Sequence, residues 1–270
     1  MLPLAVSFLY VCAHIWLMAS VRATNGTLPS HAKRLIGLIS AVMAWVLHGY
    51  SLCSILFRAD NLGLSIYAAT SIVGWVIAAI TVITVFRQPR FAWIGALLLL
   101  CAGLSALGLR IGDPLSTEEP LRWALTTHVI LAVVAYSLIA IGAVMALVLI
   151  WVDRRLHRHQ ALQALTKLPS VEALETTMFQ AITAGFALLT LTLFSGFIFV
   201  ENLFAQHLIH KTILSCLSWL LLAIVLVQHR RLGWRGKIAA KWVVSGFGAL
   251  GLAYFGSKFV LESILGKHWG

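Results

Sequence analysis

Histidines near the ends of apolar segments are the residues in this sequence with the clearest capacity for chemistry. Half of the 10 histidines fall near one side of the predicted membrane spans, namely His48, His128, His207, His210 and His268. Neutral imidazole is a strong axial ligand for haem iron, and a bis-histidine site needs two rings that approach from opposite faces. Two histidines from different helices, such as His128 and His210, meet that requirement. The other interpretation is that these histidines anchor helix ends at the membrane interface.

Charged side chains at membrane depth form a second candidate set, because they are costly there and usually functional. Glu201 and Lys211 flank two of these histidines, and Lys258 and Glu262 lie one turn apart near the end of the last apolar run. Each pair either neutralises itself or extends to the interface, or else it holds an anionic group such as a haem propionate or lines an ion path. Glu201, Tyr136 or a backbone carbonyl could orient a ligating ring.

These residues must be positioned by membrane-spanning helices, because the chain is too apolar for a water-soluble domain. Hydrophobic residues make up 60% of the 270 residues and charged residues 11%, and the mean hydropathy is +0.93. A span needs about 20 apolar residues, and eight runs are long enough. The sequence therefore predicts an all-α polytopic membrane protein, a bundle of eight transmembrane helices. The predicted spans are 2–20, 35–57, 62–86, 91–111, 123–152, 179–200, 208–227 and 243–265.

The distribution of basic residues predicts the orientation of these helices. The first apolar run has no basic residue ahead of it, and Arg22 follows it, which predicts an uncleaved first helix with its N-terminus outside. Most of the 20 basic residues then lie in inner loops, as the positive-inside rule requires, so both termini are predicted to be outside, in the periplasm. The net charge of +11 predicts attraction to anionic lipid of the inner leaflet. Because the basic residues are scattered over four short inner loops, no nucleic-acid partner is predicted.

No polar stretch is long enough for a separate soluble domain, so residues 1–270 are predicted to form a single transmembrane domain. The longest stretch between apolar runs, 153–178, is predicted as a cytoplasmic loop. Apolar residues recur at helical spacing after Pro169, with Glu172 and Glu175 on the other side. This pattern predicts a short amphipathic helix on the inner face, or alternatively a lead-in turn to the sixth span.

Catalytic motifs of soluble enzymes do not stand out in this sequence. It has no G-x-S-x-G, H-E-x-x-H, Walker or dinucleotide-binding pattern. The four cysteines fall inside predicted helices without a C-x-x-C pair, which does not suit a thiol oxidoreductase or a zinc site. No catalytic residue is predicted, and the sequence leans away from an enzyme.

Several motifs in the second half of the chain resemble a known family. They are HVILAVVAYSLIAIGAVMALVLIW, LFSGFIFVEN, IHKTILSCLSW, GWRG and LAYFGSKFVLES, in this order. They resemble the integral-membrane cytochrome c assembly family, which handles haem at the outer face, and more closely its YpjD-like (HemX-like) inner-membrane branch. The resemblance covers residues 64–270, and it implies the bacterial inner (plasma) membrane and a role in cytochrome c biogenesis.

The resemblance also implies roles for individual residues. In full-length members, a histidine that matches His128 opens its helix and serves as an outer haem ligand, and His268 in GKHWG occupies the place of a second outer histidine. Members carry a tryptophan-rich outer segment, W-G-x-x-W-x-W-D, whereas the matching stretch here, ENLFAQHLIHKTILSCLSW, has Trp219 as its only tryptophan. Two hypotheses follow: this branch binds haem through His128 and His210, or it keeps the fold without haem.

The leading hypothesis is an inner-membrane protein that binds or handles haem in c-type cytochrome biogenesis, with its haem site near the outer face. The candidate cofactor-binding residues are His48, His128, His210 and His268, and the candidate iron ligands among them are His128 and His210. The expected partners are the lipid bilayer, haem and cytochrome c maturation components. The alternatives are a transporter or ion-coupled protein that uses His48, Lys258 and Glu262, and a haem-free accessory or scaffold subunit.

Overall fold

A computed structural model describes residues 2–22, 28–56, 66–110, 123–157, 168–199 and 209–256, and regular structure in these ranges is entirely helical. The helices are α1 Leu2–Val21, α2 Ser30–Leu56, α3 Ile66–Arg87, α4 Ala92–Gly108, α5 Trp123–His157, α6 Val171–Phe199, α7 Ile209–Leu232 and α8 Gly236–Gly251. A 3₁₀ turn, Pro89–Phe91, precedes α4, and a π-helical turn, Leu252–Gly256, continues α8. The all-α prediction is confirmed, and each predicted span overlaps one of these helices.

Seven segments of the described chain, in α1 to α7, are long and apolar enough to cross a membrane. Helices suit such segments because a backbone in hydrocarbon must satisfy its own hydrogen bonds. α8 has 16 residues, fewer than the about 20 of a full span. The rest of the predicted eighth span, beyond residue 256, lies outside the described residues. The seven spans confirm the prediction of a multi-pass membrane protein.

The helices belong to two compact units. Unit 1 contains α1 to α4, and unit 2 contains α5 to α8. Within unit 1, α1 packs along α2 and α4, and α3 packs on α4. Within unit 2, α5 packs along α6 and α8, and α7 packs on α8.

Two glycines let α5 and α6 approach each other closely, as small residues do between membrane helices. A Cβ added at Gly142 of α5 would lie 2.5 Å from Cδ1 of Ile182 on α6. A Cβ added at Gly185 of α6 would lie 2.7 Å from Cγ1 of Ile139 on α5. Both isoleucines are fully buried. Each fills the space that the opposite glycine leaves, so this helix pair forms a tightly packed interior for unit 2.

The connection between α7 and α8 is short because two glycines turn the chain. Gly233 (φ 67°) and Gly236 (φ 59°) have left-handed backbone conformations, which glycine adopts without strain. The Trp234 N–H donates to the Gln228 carbonyl oxygen at 3.3 Å, so the residue after Gly233 bonds back to the last turns of α7. The two glycines of the GWRG motif therefore end α7 and begin α8.

Side chains from α5 and α6 hold the start of α8 in place. Glu175 of α6 accepts a hydrogen bond from the Gly236 N–H, and Asp153 of α5 pairs with Lys237 of α8 at 3.3 Å. Basic residues end α5 and α7 here, namely Arg154, Arg155, Arg230 and Arg231. We call this the basic end of unit 2, and the opposite end, where α5 begins and α6 ends, the His128 end.

The start of α6 differs from the predicted start of the sixth span. α6 begins at Val171 rather than Phe179, so the residues in which an amphipathic helix was predicted form the first turns of the continuous α6. The Ser170 Oγ accepts a hydrogen bond from the Ala173 N–H at 3.2 Å, which is the N-cap arrangement. Within the predicted 153–178 loop, residues 153–157 belong to α5, and 158–167 lie outside the described residues.

Candidate functional site

His128 lies near the start of α5, where its imidazole is half-buried against α6. Its Nδ1 is 2.9 Å from Oγ of Ser195 on α6. The Ser195 hydroxyl donates in turn to the Thr192 carbonyl oxygen at 2.9 Å. A Cβ added at Gly196 would lie only 3.2 Å from Cε1 of His128. Ser195 and Gly196 therefore form the surface on which the imidazole rests, and we call these three residues the His128 site.

The position of His128 follows from the periodicity of α5. Ala135, Ile139 and Gly142 lie on the stripe of α5 that faces α6. His128 precedes Ala135 by about two helical turns, so it projects from the same stripe. A polar ring thus continues an apolar interface, and its hydrogen-bond partner comes from the facing helix, as is usual for polar groups between membrane helices.

The His128 site fits the requirements of a haem-iron ligand. A ligating histidine binds the metal through one ring nitrogen, while an acceptor orients the ring through the other. Here Nδ1 contacts Ser195, which leaves Nε2 as the nitrogen for iron. The absent Cβ at Gly196 provides the space into which the ring edge fits. The arrangement suits a metal ligand, and haem binding at His128 stays a prediction.

His48 of α2, another predicted cofactor-binding residue, is fully buried in unit 1. Its Nε2 is 2.7 Å from Oγ of Ser71 on α3, and its Nδ1 is 3.4 Å from the hydroxyl of Tyr10 on α1. Both ring nitrogens face hydroxyl groups, so the ring joins three helices. Iron binding at His48 would require one of these contacts to break.

The remaining predicted site residues lie largely outside the described part of the chain. His210 is the second residue of α7. Outside the described residues lie Glu201, His207, Lys258, Glu262 and His268. A shared site of His128 and His210 stays a prediction, and so do the roles of the charged pairs.

Trp219, the only tryptophan in the stretch that matches the family's tryptophan-rich segment, packs between α6 and α7. Its Nε1 donates to Oγ1 of Thr190 at 2.9 Å. Its ring stacks on Phe186 with centroids 5.5 Å apart. The indole therefore contributes to helix packing within unit 2.

Ser195 and Gly196 were not recognised as site residues from the sequence. A serine in a membrane helix commonly bonds to its own backbone, and a glycine there commonly serves packing. The available signal was the motif LFSGFIFVEN, in which they are the third and fourth residues. That motif carried the family resemblance, but nothing in it indicates contact with His128.

The fold and this site define a class: a multi-pass helical membrane protein with an imidazole held at one end of a helix pair. The profile of a family described as "Cytochrome C assembly protein" matches residues 35–265, a longer region than the 64–270 of the expected resemblance. The chain belongs to the cytochrome c assembly family.

Relatives of known sequence support this assignment. Inner membrane protein YpjD of Escherichia coli K12 is 31% identical over 237 residues, which cover 86% of this chain and 88% of the relative. An uncharacterised 28.8 kDa protein from the nifR3-like 5′ region of Azospirillum brasilense is 31% identical over 141 residues, or 52% of each chain. No solved structure matches this chain. Together with the apolar helices, the first relative identifies a multi-pass inner-membrane protein.

Proposed function

We propose that this protein binds haem at the His128 end of unit 2 and serves c-type cytochrome assembly from the inner membrane. The observation that carries this proposal is the placement of the His128 imidazole, which opens α5, contacts Ser195 and rests on Gly196. Imidazole is a common axial ligand of haem iron. Membership of the cytochrome c assembly family supports haem as the group that this histidine binds.

A second ring would complete the iron coordination, and His210 is the first candidate for it. His210 lies near the start of α7, and His268, beyond the described residues, is the alternative. Bound haem would supply a redox-active iron, while the protein's own residues hold it and limit its access to water. The maturation components of c-type cytochromes are the partners that this role requires.

The His128 end of unit 2 is proposed to face the periplasm, with both chain termini on that side. The arginines at the basic end support this orientation, because basic residues are retained on the cytoplasmic side. Alkaline phosphatase, which is active only in the periplasm, tests it. A fusion after the C-terminus should be active and a fusion after Leu232 inactive. The reverse pattern would contradict the orientation.

Visible spectra of the purified protein, oxidised and reduced, test haem binding. The wild type should show a Soret band that is lost when His128 and His210 are both replaced by alanine. Single replacements of His210, His268 and His48 identify the second ligand. His31→Ala is the matched control, because this exposed histidine is the second residue of α2 in unit 1.

A colourless wild-type protein from cells supplied with excess haem precursor would overturn the proposal. Stabilisation by ions or solutes would then favour the transporter alternative, since a ligand of the folded state raises its stability. A partner that co-purifies would favour the scaffold alternative.

A further inference from the structure

We infer that Ser195 is a positioning residue that sets the tautomer of His128, so that the protein presents Nε2 as the unprotonated ring nitrogen. The inference deepens the proposed function and rests on it, because an unprotonated Nε2 serves a role only if His128 binds haem iron. It concerns the haem-free protein, however, so it can be tested separately.

The tautomer of His128 follows from the number of protons available in the hydrogen-bond chain that joins His128, Ser195 and Thr192. A serine hydroxyl has one proton to donate and two lone pairs to accept with. The Ser195 hydroxyl donates its proton to the Thr192 carbonyl oxygen at 2.9 Å, an acceptor that has no proton to give. Only a lone pair of Ser195 Oγ is then available at 2.9 Å from His128 Nδ1. Both contacts are hydrogen bonds at the same time only if Nδ1 carries the proton and donates it.

A neutral imidazole with its proton on Nδ1 has a free lone pair on Nε2. That lone pair is what a metal requires of histidine, and the partner of the other nitrogen selects it. Without the Ser195 acceptor, neither tautomer would be favoured by this contact. Some of the rings would then carry their proton on Nε2, where it competes with iron.

Gly196 completes the geometry by setting how closely the ring approaches α6. A Cβ at this position would lie 3.2 Å from Cε1 and 3.8 Å from Nδ1 of His128. The ring edge between the two nitrogens thus lies against the α6 backbone, and Nδ1 is brought within reach of Ser195. Ser195 acts by hydrogen bonding and Gly196 by leaving space.

Nitrogen-15 NMR of the haem-free protein, labelled at its histidines and held in detergent micelles, tests this inference. The chemical shift of a ring nitrogen reports whether it is protonated, and the His128 signals are those absent from the His128→Gln variant. In the wild type, Nδ1 of His128 should be protonated and Nε2 unprotonated. In Ser195→Ala, a form protonated on Nε2 should appear, whereas Ser195→Thr, which keeps a hydroxyl, should resemble the wild type.

Ser137→Ala is the matched control. The Ser137 side chain is fully buried in α5, and its hydroxyl donates to the Val133 carbonyl oxygen of the same helix at 2.7 Å. This variant removes a buried hydroxyl from unit 2 and should leave the His128 signals unchanged. If Ser195→Ala does not give a folded protein, Ser195→Cys replaces it, since a thiol is only a weak acceptor.

Titration with hemin gives a second readout. Loss of an oxygen that orients a ligating histidine typically weakens metal binding by about 10 to 100-fold, so Ser195→Ala should bind hemin at least about 10-fold more weakly. A wild-type ring protonated on Nε2, or an unchanged tautomer in Ser195→Ala, would overturn the inference even if haem binds. A wild type that binds no hemin would instead overturn the proposed function, while the NMR result would still decide the role of Ser195.

Discussion

The His128 imidazole on α5 and the Ser195 hydroxyl on α6 lie 2.9 Å apart, although 67 residues separate them in the chain. Their contact extends the interface in which Gly142 faces Ile182. The apolar part of that interface brings the two helices together, and the polar part orients the ring. Changes to either part should therefore have different consequences, in stability for the first and in ligand binding for the second.

Gly196→Ala should weaken hemin binding with little effect on folding. The added methyl group would lie 3.2 Å from Cε1 of His128, so the ring must shift by a few tenths of an ångström. Because ligand orientation controls affinity, we expect a loss of roughly 10-fold. Gly248→Ala is the control, since a Cβ there meets nothing within 4 Å. Equal hemin affinities in the two variants would show that the ring does not depend on this space.

Gly185→Ala should destabilise the protein by separating α5 from α6. The new Cβ would lie 2.7 Å from Cγ1 and 3.1 Å from the backbone nitrogen of Ile139, and the backbone nitrogen cannot move without the helix. Overpacking of this kind costs about 1–3 kcal/mol, which a lower midpoint of thermal unfolding in detergent would report. Ile139→Ala in the same chain removes the closer of these two contacts, so the double variant should lose less than the sum of the two single losses. Simple additivity would argue against direct contact.

His48→Ala should destabilise unit 1 more than Tyr10→Phe does. His48→Ala leaves the Ser71 hydroxyl, now 2.7 Å from Nε2, without its partner, which costs about 1–3 kcal/mol in a buried site. Tyr10→Phe removes only the 3.4 Å contact with Nδ1, a distance at which hydrogen bonds are weak, and should cost less than about 1 kcal/mol.

Thermal unfolding in detergent measures both losses. His48→Ala should also leave hemin binding unchanged, because both nitrogens of this ring face hydroxyls within unit 1. A lost Soret band in this variant alone would instead identify His48 as a ligand.

Glu175→Ala should destabilise the basic end of unit 2. The Glu175 carboxylate accepts the Gly236 N–H at the start of α8, where a negative charge also favours the helix dipole. Loss of such a cap costs about 1 kcal/mol, and Glu175→Gln, which keeps an acceptor oxygen, should lose less. Glu172→Ala is the control because this residue is exposed in the same part of α6. Equal effects at the two positions in thermal unfolding would contradict the capping role.

The helices were predictable from the sequence because apolar runs of this length have one stable form in hydrocarbon. The ends of the helices were less predictable. The sixth span was predicted from Phe179 and the eighth from Val243, yet α6 begins at Val171 and α8 at Gly236. Both starts depend on polar contacts that hydropathy cannot show: Ser170 caps α6, and Glu175 bonds to Gly236.

The candidate site was predictable only in its histidine. His128 was named from its place at the start of an apolar run and from the family resemblance. Ser195 was missed because its partner is far away in the chain, and only the packing of α5 on α6 brings the two together. His48 was named by depth alone, and depth does not reveal that its ring nitrogens face Ser71 and Tyr10.

The paired glycines of α5 and α6 also fix the axial register of the two helices. A slip of one turn would press each isoleucine onto a residue that has a Cβ, such as Ala146 or Leu189. The observed alignment avoids these clashes. It also brings His128 opposite Gly196, about 21 Å from Gly142 along the axis of α5. The height of the imidazole is thus determined by purely apolar contacts at a distance.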